Sequence, residues 1–505
     1  MNHASELEIH TAAGIVSGAM ADDAIRVFKG IPYAQPPVGP LRWRPPAPVR
    51  PWPGIRPATA FAPDCPQTLE VGSRAPRQSE DCLYLNIWSP REASKAPVMV
   101  WIHGGSYVSG SGSEERLDGT ALARQGVVVV TINYRVGLFG FLAHPKLTLE
   151  SSHASSGNYG LLDQILALQW VKENIAAFGG DPERVTAFGV SAGSASISLL
   201  LASPMGERLF ERAILESPGA ARPLVSLQEA EAAGIVLGHD IDALRALTGA
   251  EVLARTSLLA PKVRGLTTPR VLRPIRDGWI IPEDERPVFK SGRLRPMPII
   301  VGTNADEGTE ATAPWPIDTV EQYLALVHAN FPRASATHAL ELYPAKENSQ
   351  VRQRVAQLFG DTQFDYGARL LAQSMAALEP RTWRYVFTRR RAHRDDGPHH
   401  GQEVHYVFGN LAARYPGEQA VFDDVDIAHS QAMMKAWAAF AADGDPNAAG
   451  LPRWDPYRAE QDNYLEFGDT IRPAVGWRRE PLDFLDRFFE DAGLEIPRSK
   501  QAANR

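Results

Sequence analysis

FGGDPERVTAFGVSAG, residues 178–193, is the stretch from which the fold can be read. Val185 to Phe188 is a short apolar run of the kind expected in a buried strand, and it leads directly into Gly189-Val190-Ser191-Ala192-Gly193. Small residues on either side of Ser191 allow a sharp strand-to-helix turn that lifts the serine hydroxyl clear of the backbone. The small and apolar residues from Ser194 to Leu201 suit the buried helix such a turn requires. A pentapeptide G-x-S-x-G also occurs in ordinary turns, so its weight comes from the flanking strand and helix.

The same logic extends outward. Before the stretch, Leu161, Leu162, Ile165, Leu168, Trp170, Val171 and Ile175 recur at helical spacing from Gly160 to Ala177, and Gly179-Gly180-Asp181-Pro182 ends that helix. Further strands are predicted at Leu83 to Trp88, Val98 to Ile102, Val127 to Ile132, Pro298 to Val301 and Trp383 to Phe387, with a helix from about Asp426 to Ala442. Alternation of this kind predicts an α/β fold with a large, mostly parallel central sheet flanked by helices. We read residues 1–505 as a single domain built on that sheet, with the proline-rich segment from Gly30 to Pro48 wrapped over it and anchored by Tyr33 and Trp43. No internal repeat is present.

Composition limits the partners. Fifty-two Lys and Arg against 59 Asp and Glu give a net charge of −7 without a long run of one sign, so neither nucleic acid nor an anionic membrane surface is an expected partner. No window of ~18 uninterrupted apolar residues occurs. The opening MNHASELEIHTAAG has neither a basic nor an apolar leader region, which predicts a soluble chain without an export signal. Cys65 and Cys82 are the only cysteines, and a disulfide between them is sterically plausible; it would imply an oxidising compartment, periplasmic or secreted, so localisation stays open.

A nucleophilic serine needs amide donors for the oxyanion, a base and an acid. Trp101-Ile102-His103-Gly104-Gly105-Ser106, after a buried strand, offers backbone amides that could converge with that of Ala192. The base must be histidine, whose ordinary pKa alone lies near neutrality. The chain order nucleophile, acid, histidine leaves His239, His328, His338, His393, His399, His400, His405 and His429. Of these, His400 follows the strand at Trp383 to Phe387 and precedes a glycine, with His399 the obvious decoy. For the acid, Asp306 and Glu307 compete in Gly302-Thr-Asn-Ala-Asp-Glu-Gly-Thr309.

Five segments together resemble the type-B carboxylesterase and cholinesterase-like family, especially its bacterial para-nitrobenzyl-esterase-like members. They are FKGIPYAQPPVGPLRW at 28–43, SEDCLYLNI at 79–87, WIHGGS at 101–106, SGNYGLLDQ at 156–164, and the segment at 178–193. The likeness covers nearly the whole chain and implies an α/β-hydrolase fold. It also implies a Ser191–His400–Glu307 triad, through the motif His400-Gly401-x-Glu403 and the triplet Asp306-Glu307-Gly308, and an oxyanion hole at Gly105, Ser106 and Ala192. It further implies a Cys65–Cys82 disulfide and hydrolysis of a small-molecule carboxylic ester through an acyl-enzyme, with no metal or other cofactor.

The departures from the family pattern are informative. Val190 stands where many relatives carry glutamate, which predicts a drier pocket lacking a buried carboxylate to tune the triad. The 65–82 loop has no aromatic residue to hold a quaternary ammonium, which counts against choline esters. Ser106 in place of a glycine is expected to disfavour bulky acyl groups. Between Ser257 and Trp279 lie Lys262, Arg264, Arg270, Arg273 and Arg276, where relatives often carry apolar gorge residues. Arg273 and Arg276 are candidates for binding an anionic, polycarboxylate ester of the sort hydrolysed by fumonisin esterases in the family; the alternative is a solvated basic rim. A non-catalytic binding protein, a lipase with an apolar lid, and an amide or carbamate hydrolase are the rival functions. Oligomeric state is not encoded in these motifs.

Overall fold

The computed structural model describes residues 6–68, 71–259, 265–267, 270–391, 397–412 and 422–492. Lys262, Arg264 and His393 lie outside the described residues. Strands run in chain order as β1 (Glu8–His10), β2 (Ile15–Ser17), β3 (Ala19–Met20), β4 (Ile25–Pro32), β5 (Ile55–Pro57), β6 (Tyr84–Pro90) and β7 (Ala96–Ile102). They continue as β8 (Val128–Ile132), β9 (Gly180–Val190), β10 (Arg212–Glu216), β11 (Ile299–Asn304), β12 (Thr382–Phe387), β13 (Asn463–Phe467) and β14 (Ile471–Val475).

Strands β1, β2 and β5 form a small sheet; the other eleven form one large sheet in the order β14-β13-β12-β11-β10-β9-β7-β8-β6-β4-β3. Neighbours from β8 to β13 are parallel, whereas β3, β4, β6 and β14 join antiparallel at the two edges. The expected mostly parallel sheet is therefore present.

Its central strands are apolar throughout because both faces are covered. In β7, Val98, Val100 and Ile102 join one core layer, and Met99 and Trp101 join the other. Helices supplying these layers include α1 (Tyr159–Asn174), α2 (Ala192–Ala202) and α3 (Asn348–Gly360), followed by α4 (Tyr366–Ala376), α5 (Asp424–Asp443) and α6 (Arg479–Ala492). A single π-turn, Asp361–Asp365, joins α3 to α4. No helix among the described residues is long and apolar enough to cross a membrane.

Predicted and observed bounds differ where polar residues set them. Helix α5 begins before Asp426 because Asp423 caps it, its carboxylate accepting from the Asp426 amide at 2.9 Å. Strand β9 begins at Gly180 rather than Val185, since Gly180 pairs with Ala96 across an irregularity in register.

Candidate active site

Ser191, Glu216, Glu307 and His400 all lie at or just beyond the carboxyl ends of the parallel strands β9, β10, β11 and β12, where open α/β sheets place their sites. Ser191 has φ 57° and ψ −117°, a conformation strained for a side chain bearing Cβ. Hydrogen bonds hold it there: its amide donates to the Glu216 carbonyl at 2.9 Å, and its carbonyl accepts from the Ala195 amide at 2.8 Å. Gly193 must be glycine because a Cβ there would collide with the Ile102 carbonyl of the neighbouring strand.

The loop after β7 turns through Gly105, Ser106 and Tyr107, all at positive φ. At Gly105 a Cβ would run into the Ser109 backbone, whose amide donates to the Gly105 carbonyl at 3.0 Å. His103 braces the loop as a neutral group. It is buried against Tyr134 with ring centroids 4.2 Å apart, its Nδ1 lies 2.8 Å from the Gly104 carbonyl, and burial pushes its pKa down to about 4. Gln67 adds a second brace, accepting from the Gly110 amide at 2.8 Å and donating to the Gly110 carbonyl at 3.0 Å. Ser106, Ser191 and Ala192 border one cavity of about 250 Å³.

His400 and Glu307 meet across 93 residues of sequence, Nδ1 to Oε2 at 2.5 Å. Glu307 is 3% exposed, and its other oxygen accepts from Ser217 Oγ at 2.6 Å and the Asn304 amide at 2.7 Å. Burial works against a charged imidazole, but the Glu307 carboxylate prevails and holds the His400 pKa above its ordinary value. The competing residues form a separate contact, His399 Nδ1 to Asp306 Oδ2 at 3.4 Å. Phe364, from the π-turn, packs on His400 with ring centroids 4.3 Å apart and lines the cavity with Ser191.

Two findings correct the sequence expectations. Val190 does not leave the region without a buried carboxylate: Glu403 and Glu216 are both fully buried. Asn304 Nδ2 donates to Glu403 at 2.5 Å, and Trp437 Nε1 donates to Glu216 at 2.9 Å. Burial, reinforced by Glu307, raises the Glu403 pKa to about 7; burial and Glu403 hold that of Glu216 well above the carboxylate range. Arg276 does not reach the cavity and instead faces Asp284 at 3.6 Å, whereas Arg273 lines the cavity beside Arg270 and an arginine not singled out from sequence, Arg222. Cys65 and Cys82, the pair for which a disulfide is expected, lie buried side by side as thiols, and the Cys82 thiol is pushed up by its hydrogen bond to Cys65 and by burial.

Glu216, Ser217, Asn304 and Phe364 had no signal of their own, each being an ordinary residue at a strand end or in a helix. Glu403 stood in the His400-Gly401-x-Glu403 motif without a role attached to it.

Sheet, serine elbow and a histidine held by a carboxylate define an α/β-hydrolase. The sequence profile of the carboxylesterase family matches residues 5–484, and the chain belongs to that family; it is a carboxylic ester hydrolase. It is 44% identical over 479 residues to a fumonisin B1 esterase of Sphingopyxis macrogoltabida, covering 92% of this chain and 87% of that protein. It is 37% identical over 480 residues to the para-nitrobenzyl esterase of Bacillus subtilis (strain 168), covering 92% and 95%. A solved PNB esterase superposes with a TM-score of 0.84 at 33% identity over 95% of this chain and 99% of that one.

Proposed function

We propose that Ser191 is the nucleophile, His400 the general base and Glu307 the carboxylate that orients it. The observation carrying this reading is the 2.5 Å contact between His400 Nδ1 and Glu307, with the His400 ring packed on Phe364, which lines the cavity that Ser191 borders. A carboxylate accepting from Nδ1–H leaves Nε2 as the basic nitrogen. His400 takes the Ser191 proton as Oγ bonds to the ester carbonyl carbon, and the amides of Gly105, Ser106 and Ala192 receive the oxyanion. The imidazolium returns its proton to the departing alcohol, leaving an acyl-enzyme. Water, deprotonated by the same His400, releases the acid. The names of the relatives support carboxylic esters as substrates, and a filled triad favours catalysis over a binding-only role.

Hydrolysis of para-nitrophenyl esters from acetate to octanoate tests this. Turnover by the wild type should fall by about 10⁴-fold or more in Ser191→Ala. Retained turnover in that variant would remove Ser191 from its role.

A further inference from the structure

Phe364 covers a face of the His400 imidazole. The ring centroids are 4.3 Å apart and the ring planes differ by 32°, so the contact is nearer to a stack than to an edge. Phe364 is 7% exposed and packs edge-to-face with Phe359, centroids 6.2 Å apart, which leaves its ring little room to move away. The imidazole has use for such a contact. Its hydrogen bond to Glu307 fixes one atom, Nδ1, while the ring can still turn, because the last torsion of a histidine is broad. A contact on the ring face sets the plane, and the plane decides where Nε2 points.

The π-turn that carries Phe364 is pinned at both ends. Its wide loop is closed by the Tyr366 amide donating to the Asp361 carbonyl, a departure from regular helix of the kind that recurs at functional sites. Asp361 is buried and accepts from Tyr343 Oη and from the Arg478 guanidinium. Asp365, also buried, accepts through one oxygen from Thr303 Oγ1 at 2.7 Å and Trp477 Nε1 at 2.9 Å. Thr303 belongs to β11, and the next residue, Asn304, donates its amide to Glu307 at 2.7 Å. Helix α3 lies directly on the same loop: a Cβ on Gly308 would collide with the Ala356 carbonyl, and one on Gly360 would come within 3.2 Å of Glu307 Cβ. Glu307 and Phe364 are therefore tied to one strand end.

From this arrangement we infer that Phe364 is a positioning residue for His400: its ring fixes the plane of the imidazole, so that Nε2 is aimed at Ser191 while Glu307 holds Nδ1. The inference rests on the triad proposed above. Its physical content is orientation, since a small misalignment of a proton-transferring group costs rate without costing binding.

The test uses para-nitrophenyl acetate, whose small acyl group makes least use of the cavity wall, with kcat normalised to active sites counted from the para-nitrophenol burst. Phe364→Met keeps an apolar side chain of similar size and loses the flat face. It should lower kcat by about tenfold and change KM by less than about threefold. Phe364→Tyr keeps a flat ring and should bring kcat back to within about threefold of the wild type. A cavity-wall role alone would move KM instead, and a folding role alone would lower the denaturation midpoint and the burst while leaving kcat per site in place. A second readout is independent of turnover: the strongly deshielded proton between His400 Nδ1 and Glu307, recorded by proton NMR in Ser191→Ala and assigned by its loss in His400→Gln. It should shift upfield or vanish when Phe364→Met is added and stay when Phe364→Tyr is added.

Ser191-dependent turnover with kcat unchanged in Phe364→Met, and the deshielded proton in place, would overturn the role of Phe364 and leave the triad standing. Turnover that survives Ser191→Ala, with the proton lost in Phe364→Met, would overturn the triad reading and retain the hold of Phe364 on His400.

Discussion

Glu307 does two things at once for His400: it fixes which nitrogen carries the proton, and it offsets the cost of burying an imidazolium. Replacing it with glutamine keeps the shape and removes the charge. Glu307→Gln should lower kcat/KM by roughly 10²- to 10⁴-fold. The sign of the accompanying pH effect follows from the causes of the shift: with the Glu307 carboxylate gone, burial is opposed only by the smaller effects of Glu403 and Glu310, and the His400 pKa falls. The acid limb of the kcat/KM profile should therefore move to lower pH, and a limb that stays in place or moves up would contradict this account. Which histidine and which acid pair could not be decided from residue types, because His399 and His400 are neighbours, as are Asp306 and Glu307. The sheet decides it, since β11 and β12 lie side by side and deliver the two contacts as separate pairs.

At the scale of elements, the connection from β8 to α1 shows what one quoted segment is for. Asp163 in SGNYGLLDQ is fully buried on α1 and accepts from Arg135 at 2.7 and 2.8 Å through the guanidinium and at 3.0 Å through the backbone amide. Arg135 also donates to the Arg44 carbonyl at 2.9 Å, tying the proline-rich N-terminal segment to the same point. Asp163→Ala would strand a guanidinium that is 3% exposed and should cost about 3–5 kcal/mol, read as a lower denaturant midpoint. Strands and helices of this sort were legible because their periodicity is local. The π-turn at Asp361–Asp365 was not legible: its residues fit a continuous helix, and only the tertiary contacts show Phe364 packed on His400 at the cavity and Gln363 accepting from Arg222 and Arg270.

At the scale of the whole molecule, the segment holding Cys65 braces the loop after β7 through Gln67, so its anchoring depends on the global fold. Both thiols are buried and adjacent, hence protected until the chain unfolds. A thiol reagent should label neither in the native protein and both after denaturation without reductant. Labelling of neither after denaturation would instead indicate the disulfide. Taken alone, the sequence determined the sheet, the elbow and Ser191, because alternation, helical spacing and a small-residue turn are set by neighbours along the chain. Only the tertiary structure decided that Glu403 and Glu216 supply buried carboxylates despite Val190, that Arg276 turns away to Asp284, and that Arg222 and Arg270 meet at one oxygen of Gln363. The two contacts at Gln363 join residues 141 and 93 positions apart, and no local pattern records a contact that exists only once the chain has folded.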